Sequence, residues 1–159
     1  MTHRFILTIL ALSFAFAACK GSGPRLIVND PNWVPPEDVR VEGNHITIDR
    51  HINFELDSDV ILAESNQLLD HIADTIVHHP EITSLQVIGH TDAAGGTAHN
   101  QQLSERRAAA VVGALQARSV SIALEAVGKG ESEPLCQEDT EACHAQNRRV
   151  EFLIVDSEG

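Results

Sequence analysis

Residues 88–108, IGHTDAAGGTAHNQQLSERRA, leave this chain few ways to fold. A short apolar segment ends in His90-Thr91-Asp92, crosses Gly95-Gly96 and enters a helical pattern. The glycine pair permits a tight turn, so a strand hands over directly to a long helix. On that helix Asn100, Ser104 and Arg107 stand at i, i+4 and i+7 and share one face at ~100° per residue. The same stripe continues through Val111, Ala114 and Leu115, so the face turns toward the core and its polar first half needs partners. An arginine on such a stripe is costly unless an anion meets it. Asp92, at the mouth of the helix, is one candidate. A bound carboxylate is the other, because the guanidinium fork grips a carboxylate with two parallel bonds. Free N–H groups at the helix start also favour an anion. Asp92 is then available to hold an ammonium group. Spacing alone leaves an internal Asp92–Arg107 salt bridge equally open.

The flanking patterns extend this βα unit into one domain that starts near Val41. Ile46, Ile48, Ile52 and Phe54 alternate with polar residues, with an irregularity at Arg50-His51, and predict a half-buried strand. Ser65 is placed to cap a helix whose apolar positions are Leu69, Ile72, Ala73 and Ile76; Pro80 stops it. Leu85, Val87 and Gly89 alternate in a second strand, and the long helix spans 97–118. Ile122, Leu124 and Ala126 mark a third strand, ended by Gly128-Lys129-Gly130. A long loop with two cysteines follows. Residues 150–155 are almost all apolar and predict a central strand. The order is β-α-β-α-β-loop-β, one α/β or α+β domain.

The net charge of −12 argues against nucleic acid as a partner, and against charge-driven binding to anionic lipid. The nine histidines are scattered without metal-ligand spacing. For His90 the expected role is a structural imidazole bonded to backbone. Residues 1–18 read as a signal peptide: Arg4 precedes an apolar run over 5–18, with small residues before Cys19. Phe16-Ala17-Ala18-Cys19 resembles a bacterial lipobox, with Phe16 where leucine is usual, so Cys19 is expected to be lipidated. Each CH₂ of such an anchor buried in a membrane is worth about 0.8 kcal/mol. Residues 19–40 carry four prolines and predict a tether reaching at most about 70 Å. Trp33, within it, either docks on the domain or belongs to the linker. With Cys19 acylated, Cys136 and Cys143 remain, and an exported protein meets an oxidising compartment. A 136–143 disulfide would close an eight-residue loop, worth about 2.5 kcal/mol in the chain-entropy account.

IGHTD, a following glycine, Asn100, Leu103-Ser104-x-x-Arg107-Ala108 and the distant NRRVEF of 147–152 together resemble the OmpA C-terminal-like peptidoglycan-binding domain. The peptidoglycan-associated lipoproteins belong to this family. The asparagine and arginine fall eight and fifteen residues after Asp92, and the resemblance covers about 45–156. It implies an α+β fold, β-α-β-α-β-β, with a mixed four-stranded sheet and two main helices, over a domain 41–159. It also implies non-covalent binding of the peptidoglycan stem peptide through meso-diaminopimelate. Asp92 and Arg107 take the positions of the family's main contacts, and Thr91 and Asn100 those of its turn threonine and helix asparagine. Asp57 falls in a segment that borders the pocket. Arg149 is expected to border the site or to serve the strand start. The turn Ala93-Ala94-Gly95-Gly96 lacks polar residues that some members carry there. No cofactor, metal or catalytic residue is implied.

The expected place is the periplasmic face of the outer membrane, held by a lipid on Cys19, or the soluble periplasm without it. Lys20 after Cys19, rather than aspartate, favours the outer membrane. Two other readings remain: a subunit of a motility or secretion complex with protein partners, and a peptidoglycan-modifying enzyme using His90 and Asp92 as acid/base groups or metal ligands. The enzyme reading lacks an identifiable nucleophile, zinc set or carboxylate pair.

Overall fold

A computed structural model describes residues 30–155. The chain runs β1 (Val39–Glu42), β2 (His45–Ile48), a 3₁₀ turn (Ala63–Ser65), α1 (Asn66–His78), β3 (Ser84–His90), α2 (Thr97–Ala117), β4 (Ala123–Gly130), α3 (Glu141–Asn147) and β5 (Val150–Ile154). The strands form one mixed sheet in the order β1-β2-β5-β3-β4. Only the β3–β4 pair is parallel, and α2 is the crossover between them. β5 lies at the centre, as its apolar run predicts.

The α+β class and mixed sheet agree with expectation, but the sheet has five strands rather than four. The extra strand comes from a hairpin. Val39 and Val41 alternate with charged residues, and Gly43 supplies the positive φ of +61° at the turn into β2. Val39 is fully buried, so the packed domain includes residues assigned to the tether. The strand predicted through Ile52 and Phe54 ends at Ile48. Ile52 still reaches the core from a loop, and Phe54 makes an isolated bridge to Ile61. The expected signal peptide of 1–18 and the lipidated Cys19 lie outside the described residues.

Helix α1 buries Leu69, Ile72, Ala73 and Ile76 on the predicted face and ends before Pro80. Each large aliphatic side chain buried there is worth about 1.5–3 kcal/mol. Ser65 does precede α1, but its Oγ accepts the Asn53 N–H at 2.8 Å instead of capping the helix. It ties the 50–62 loop to the helix start. Helix α2 lies unusually close to the sheet. A Cβ on Gly89 would stand 2.3 Å from the Ser104 carbonyl oxygen, and one on Gly128 only 2.6 Å from the Glu105 nitrogen. That contact accounts for Ser104 on the core-facing stripe: its Oγ donates to the Gln101 carbonyl and accepts the Gly130 N–H at 2.9 Å.

The cysteine loop holds a helix that periodicity did not predict, α3. Thr140 caps it by accepting the Cys143 N–H, and a Cys136–Cys143 disulfide closes the loop. Asn147 fastens the other end, accepting from the Leu135 and Cys136 nitrogens and donating to the Cys136 carbonyl. Trp33 docks: its ring stacks on His78 with centroids 4.3 Å apart.

Candidate functional site

A cleft of about 630 Å³ opens where β3 hands over to α2. Thr91, Asp92, Ala94 and Gly95 form one wall, and the α2 residues His99, Asn100, Leu103 and Arg107 another. Leu56 and Asp57 close it from the 50–62 loop, Glu141 and Arg148 from the α3 loop. The structure therefore brings Asp92, Arg107, Thr91, Asn100 and Asp57 together around one space. It does not bring Arg149 there.

Asp92 and Arg107 do not pair with each other. Asp92 is 12% exposed at its side chain; one oxygen accepts the Ala94 N–H, and the other accepts from Arg148 Nη1 at 2.7 Å. Arg148 also binds Glu141. The hydrogen bonds to these two carboxylates, Asp92 first, hold the Arg148 guanidinium above its usual pKa. Arg107 donates Nε to the Ser58 carbonyl at 2.9 Å, and its guanidinium lies 4.9 Å from the Phe54 ring centroid. Burial pushes its pKa below the ordinary arginine value; the fields of Asp57 and Asp92 oppose that push. Among the described residues no carboxylate comes within 4.0 Å of Arg107. Its two terminal amino groups make no protein hydrogen bond there, which leaves a bidentate donor free at the cleft.

Asn100 shapes the turn. Its amide nitrogen donates to the Asp92 and Ala94 carbonyls and to Glu131. The glycine-rich turn is thus pinned from within α2. Thr91 is buried, with its hydroxyl lacking any protein partner. Asp57 adopts a left-handed backbone, φ +51°, and binds His99 Nε2 at 2.6 Å across the cleft mouth.

Of the two places expected for Arg149, the cleft border and the strand start, it takes the second. Its Nε and Nη2 bind Glu151, and Nη2 also reaches the Glu133 carbonyl, so it serves the start of β5. Its neighbour Arg148 is the one that reaches the cleft. Adjacent residues at a strand entrance point to opposite sides, which is the signal that could have separated the two. His90 differs from its expected role. Its ring is buried with neither nitrogen bonded to protein, rather than tied to backbone. Burial holds its pKa below the ordinary histidine value, and Arg149 adds to that. It is not among the residues that line the cleft with Asp92. No cluster of three or more His, Cys, Asp or Glu fit to hold a metal occurs among the described residues. None of their helices is long and apolar enough to cross a membrane.

The cleft thus offers a fixed carboxylate on one side and an unpaired guanidinium on the other, a match for a ligand bearing both an ammonium and a carboxylate group.

The family described as "OmpA family" matches residues 53–148. Outer membrane porin F of Pseudomonas fluorescens is 37% identical over 110 residues, covering 69% of this chain and 33% of that protein. The peptidoglycan-associated lipoprotein of Brucella melitensis is 32% identical over 110 residues, covering 69% of this chain and 65% of that protein. The chain thus spans less than two thirds of the length of these relatives. Among solved structures, the peptidoglycan-associated lipoprotein of Burkholderia pseudomallei aligns with a TM-score of 0.60 at 29% identity, over 80% of this chain and 98% of that one. The cell wall anchor of the T6SS from Pseudomonas aeruginosa aligns with a TM-score of 0.59 at 26% identity, over 76% and 89%.

Proposed function

The chain belongs to the OmpA family, and from that premise we propose that residues 41–159 bind the peptidoglycan stem peptide non-covalently through meso-diaminopimelate. The free end of that residue is a zwitterion. Its carboxylate meets Arg107, and its ammonium meets Asp92. The observation that carries this reading is the half-buried Arg107 guanidinium, which faces the cleft with no acid inside 4.0 Å among the described residues. A charge held out of water without a partner is costly, and a ligand carboxylate removes that cost on binding. Asp92 keeps acceptor capacity beyond its bond from Arg148, so an ammonium joins the pair or displaces Arg148 toward Glu141. Asn100 fixes the turn, Thr91 contributes an unpartnered hydroxyl, and Asp57 with His99 forms the rim.

The proposed role is to tether the outer membrane to the cell wall. Residues 1–18 serve as an export signal, Cys19 carries the lipid, and the following segment spans to the domain. The Brucella and Burkholderia relatives are peptidoglycan-associated lipoproteins, which supports a lipid anchor joined to a wall-binding domain. A soluble periplasmic form performs the same binding without the anchor. The similarity to the T6SS cell wall anchor supports a place for this wall-binding role inside a larger envelope assembly with protein partners. The test is sedimentation with purified sacculi. The native chain should pellet with them, and Asp92→Ala should stay in the supernatant with an unchanged circular dichroism spectrum. An Asp92→Ala chain that pellets like the native one overturns the assignment.

A further inference from the structure

Arg107 and Arg148 also form a wall of a second, smaller cavity of about 190 Å³. Its lining adds Arg149, His51, His90 and Asn53, and includes no aspartate or glutamate. In a chain with 23 acidic and 11 basic residues, a cavity with three arginines and no acid needs a physical reason. Internal ion pairs supply part of it. Arg148 is held by Asp92 and Glu141, and Arg149 by Glu151. They leave three buried nitrogens of the lining residues without a hydrogen bond to protein, Arg149 Nη1 and both ring nitrogens of His90, although Glu151 lies 3.7 Å from His90 Nε2. These are three of the four such side-chain atoms among the described residues. Two of them are donors, Arg149 Nη1 and the single N–H of the neutral His90 ring; an unmet buried donor costs about 1–3 kcal/mol, so two around one cavity mark a place where an acceptor is missing. Ordered water would satisfy some of them. Three arginines in one lining with no acid among them favour an anion over water, and the apolar Ile52, Phe54 and Val150 in the same lining strengthen that attraction.

We propose that this cavity receives a second carboxylate of the same wall peptide whose diamino acid occupies the cleft. The proposal rests on the wall-peptide reading above. The two cavities share the Arg107–Arg148 wall, so a peptide crossing that wall carries the carboxylate of an adjoining residue into the smaller one. The cleft then selects the diamino acid, and the arginine cavity selects the peptide around it.

The test is calorimetric titration of the full chain with three ligands. They are meso-diaminopimelate alone, the tetrapeptide L-Ala-γ-D-Glu-meso-diaminopimelate-D-Ala, and that tetrapeptide with its glutamate and terminal alanine carboxylates amidated. The unmodified tetrapeptide should bind about tenfold tighter than the amidated one, the scale of one charge-assisted contact. Ala145→Glu puts a carboxylate into the cavity lining and should abolish that difference while leaving diaminopimelate affinity unchanged. The paired change Arg149→Gln with Glu151→Gln should abolish it too, without leaving an orphaned charge. Equal affinity for the two tetrapeptides in the native chain overturns the proposal, as does a difference that survives in either variant. Failure of all three ligands to bind overturns the wall-peptide reading and this proposal with it.

Discussion

Replacing Arg107 with methionine should separate binding from stability. Methionine keeps an unbranched apolar stem beside Phe54 but removes the guanidinium and its charge. In the folded protein the change gives up the Nε bond to the Ser58 carbonyl and the contact 4.9 Å from the Phe54 centroid. A hydrogen bond from a charged donor is worth about 1.5–3 kcal/mol. The cation–π contact adds about 0.5–1 kcal/mol, which a sulfur–aromatic contact largely restores. Against these losses stands the relief of a half-buried charge with no acid beside it, whose pKa is already driven down by burial. The two sides nearly cancel. The account predicts a stability change within about 1 kcal/mol, or a melting shift within about 4 °C for a domain of this size. Binding behaves differently. Removing one partner of a buried charge pair costs about 2–5 kcal/mol, so affinity for meso-diaminopimelate should fall by about thirtyfold to several thousandfold. Thermal melting by circular dichroism and calorimetric titration on the same preparation read both quantities. A melting point lowered by more than about 10 °C with ligand affinity retained would mean that Arg107 is a structural arginine, and would refute the reasoning.

Acid should weaken the domain in a range set by His90. Its folded pKa is depressed by burial, so below the ordinary histidine value of about 6.5 the unfolded chain takes up a proton that the folded chain refuses. The stabilising effect of the neutral ring is complete above that pH, declines as pH falls through it toward the folded pKa, and then levels off. Arg149 and Lys129 push the same way as burial, while Glu151 and Glu133 oppose it. Urea melts between pH 7 and 5 should show this slope in the native chain and a flatter one in His90→Gln; an identical slope in both contradicts the assignment. Opening the Cys136–Cys143 disulfide by Cys136→Ser with Cys143→Ser should cost at most about 2.5 kcal/mol of stability. It should also weaken sedimentation with sacculi, because α3 carries Glu141 and leads into Arg148. Undiminished wall binding by that variant would sever the loop from the cleft.

The parts of the cleft that sequence makes legible lie on one regular element. Asn100 and Arg107 share a face because helical periodicity fixes their directions, although Ser104 between them serves the sheet contact, and Asp92 stands at the entrance to the same helix. What stays hidden depends on contacts between distant segments. Arg148 reaches Asp92 across 56 positions from the end of a seven-residue helix, too short to leave a periodic signature. It replaces the Asp92–Arg107 bridge that spacing allowed, and leaves Arg107 the freer of the two. The strand predicted through Ile52 and Phe54 shows a related limit. Alternation identifies residues that reach the core, but not whether the backbone between them stays in the sheet. Val39 and Val41 carry the same alternation beside a proline-rich stretch, and there it does form a strand, β1. Ser65 stands where a helix cap is expected, yet its hydroxyl serves a loop nitrogen twelve positions earlier.

Asp92 and Arg107 are proposed to recognise the ammonium and carboxylate at the free end of a diamino diacid. The most direct measurement compares pull-down of the native chain by sacculi containing meso-diaminopimelate and by sacculi containing lysine in its place. Lysine keeps the ammonium and lacks the second carboxylate. The account predicts retention on the first and little on the second, with soluble meso-diaminopimelate releasing the bound chain. Equal retention on both would contradict it.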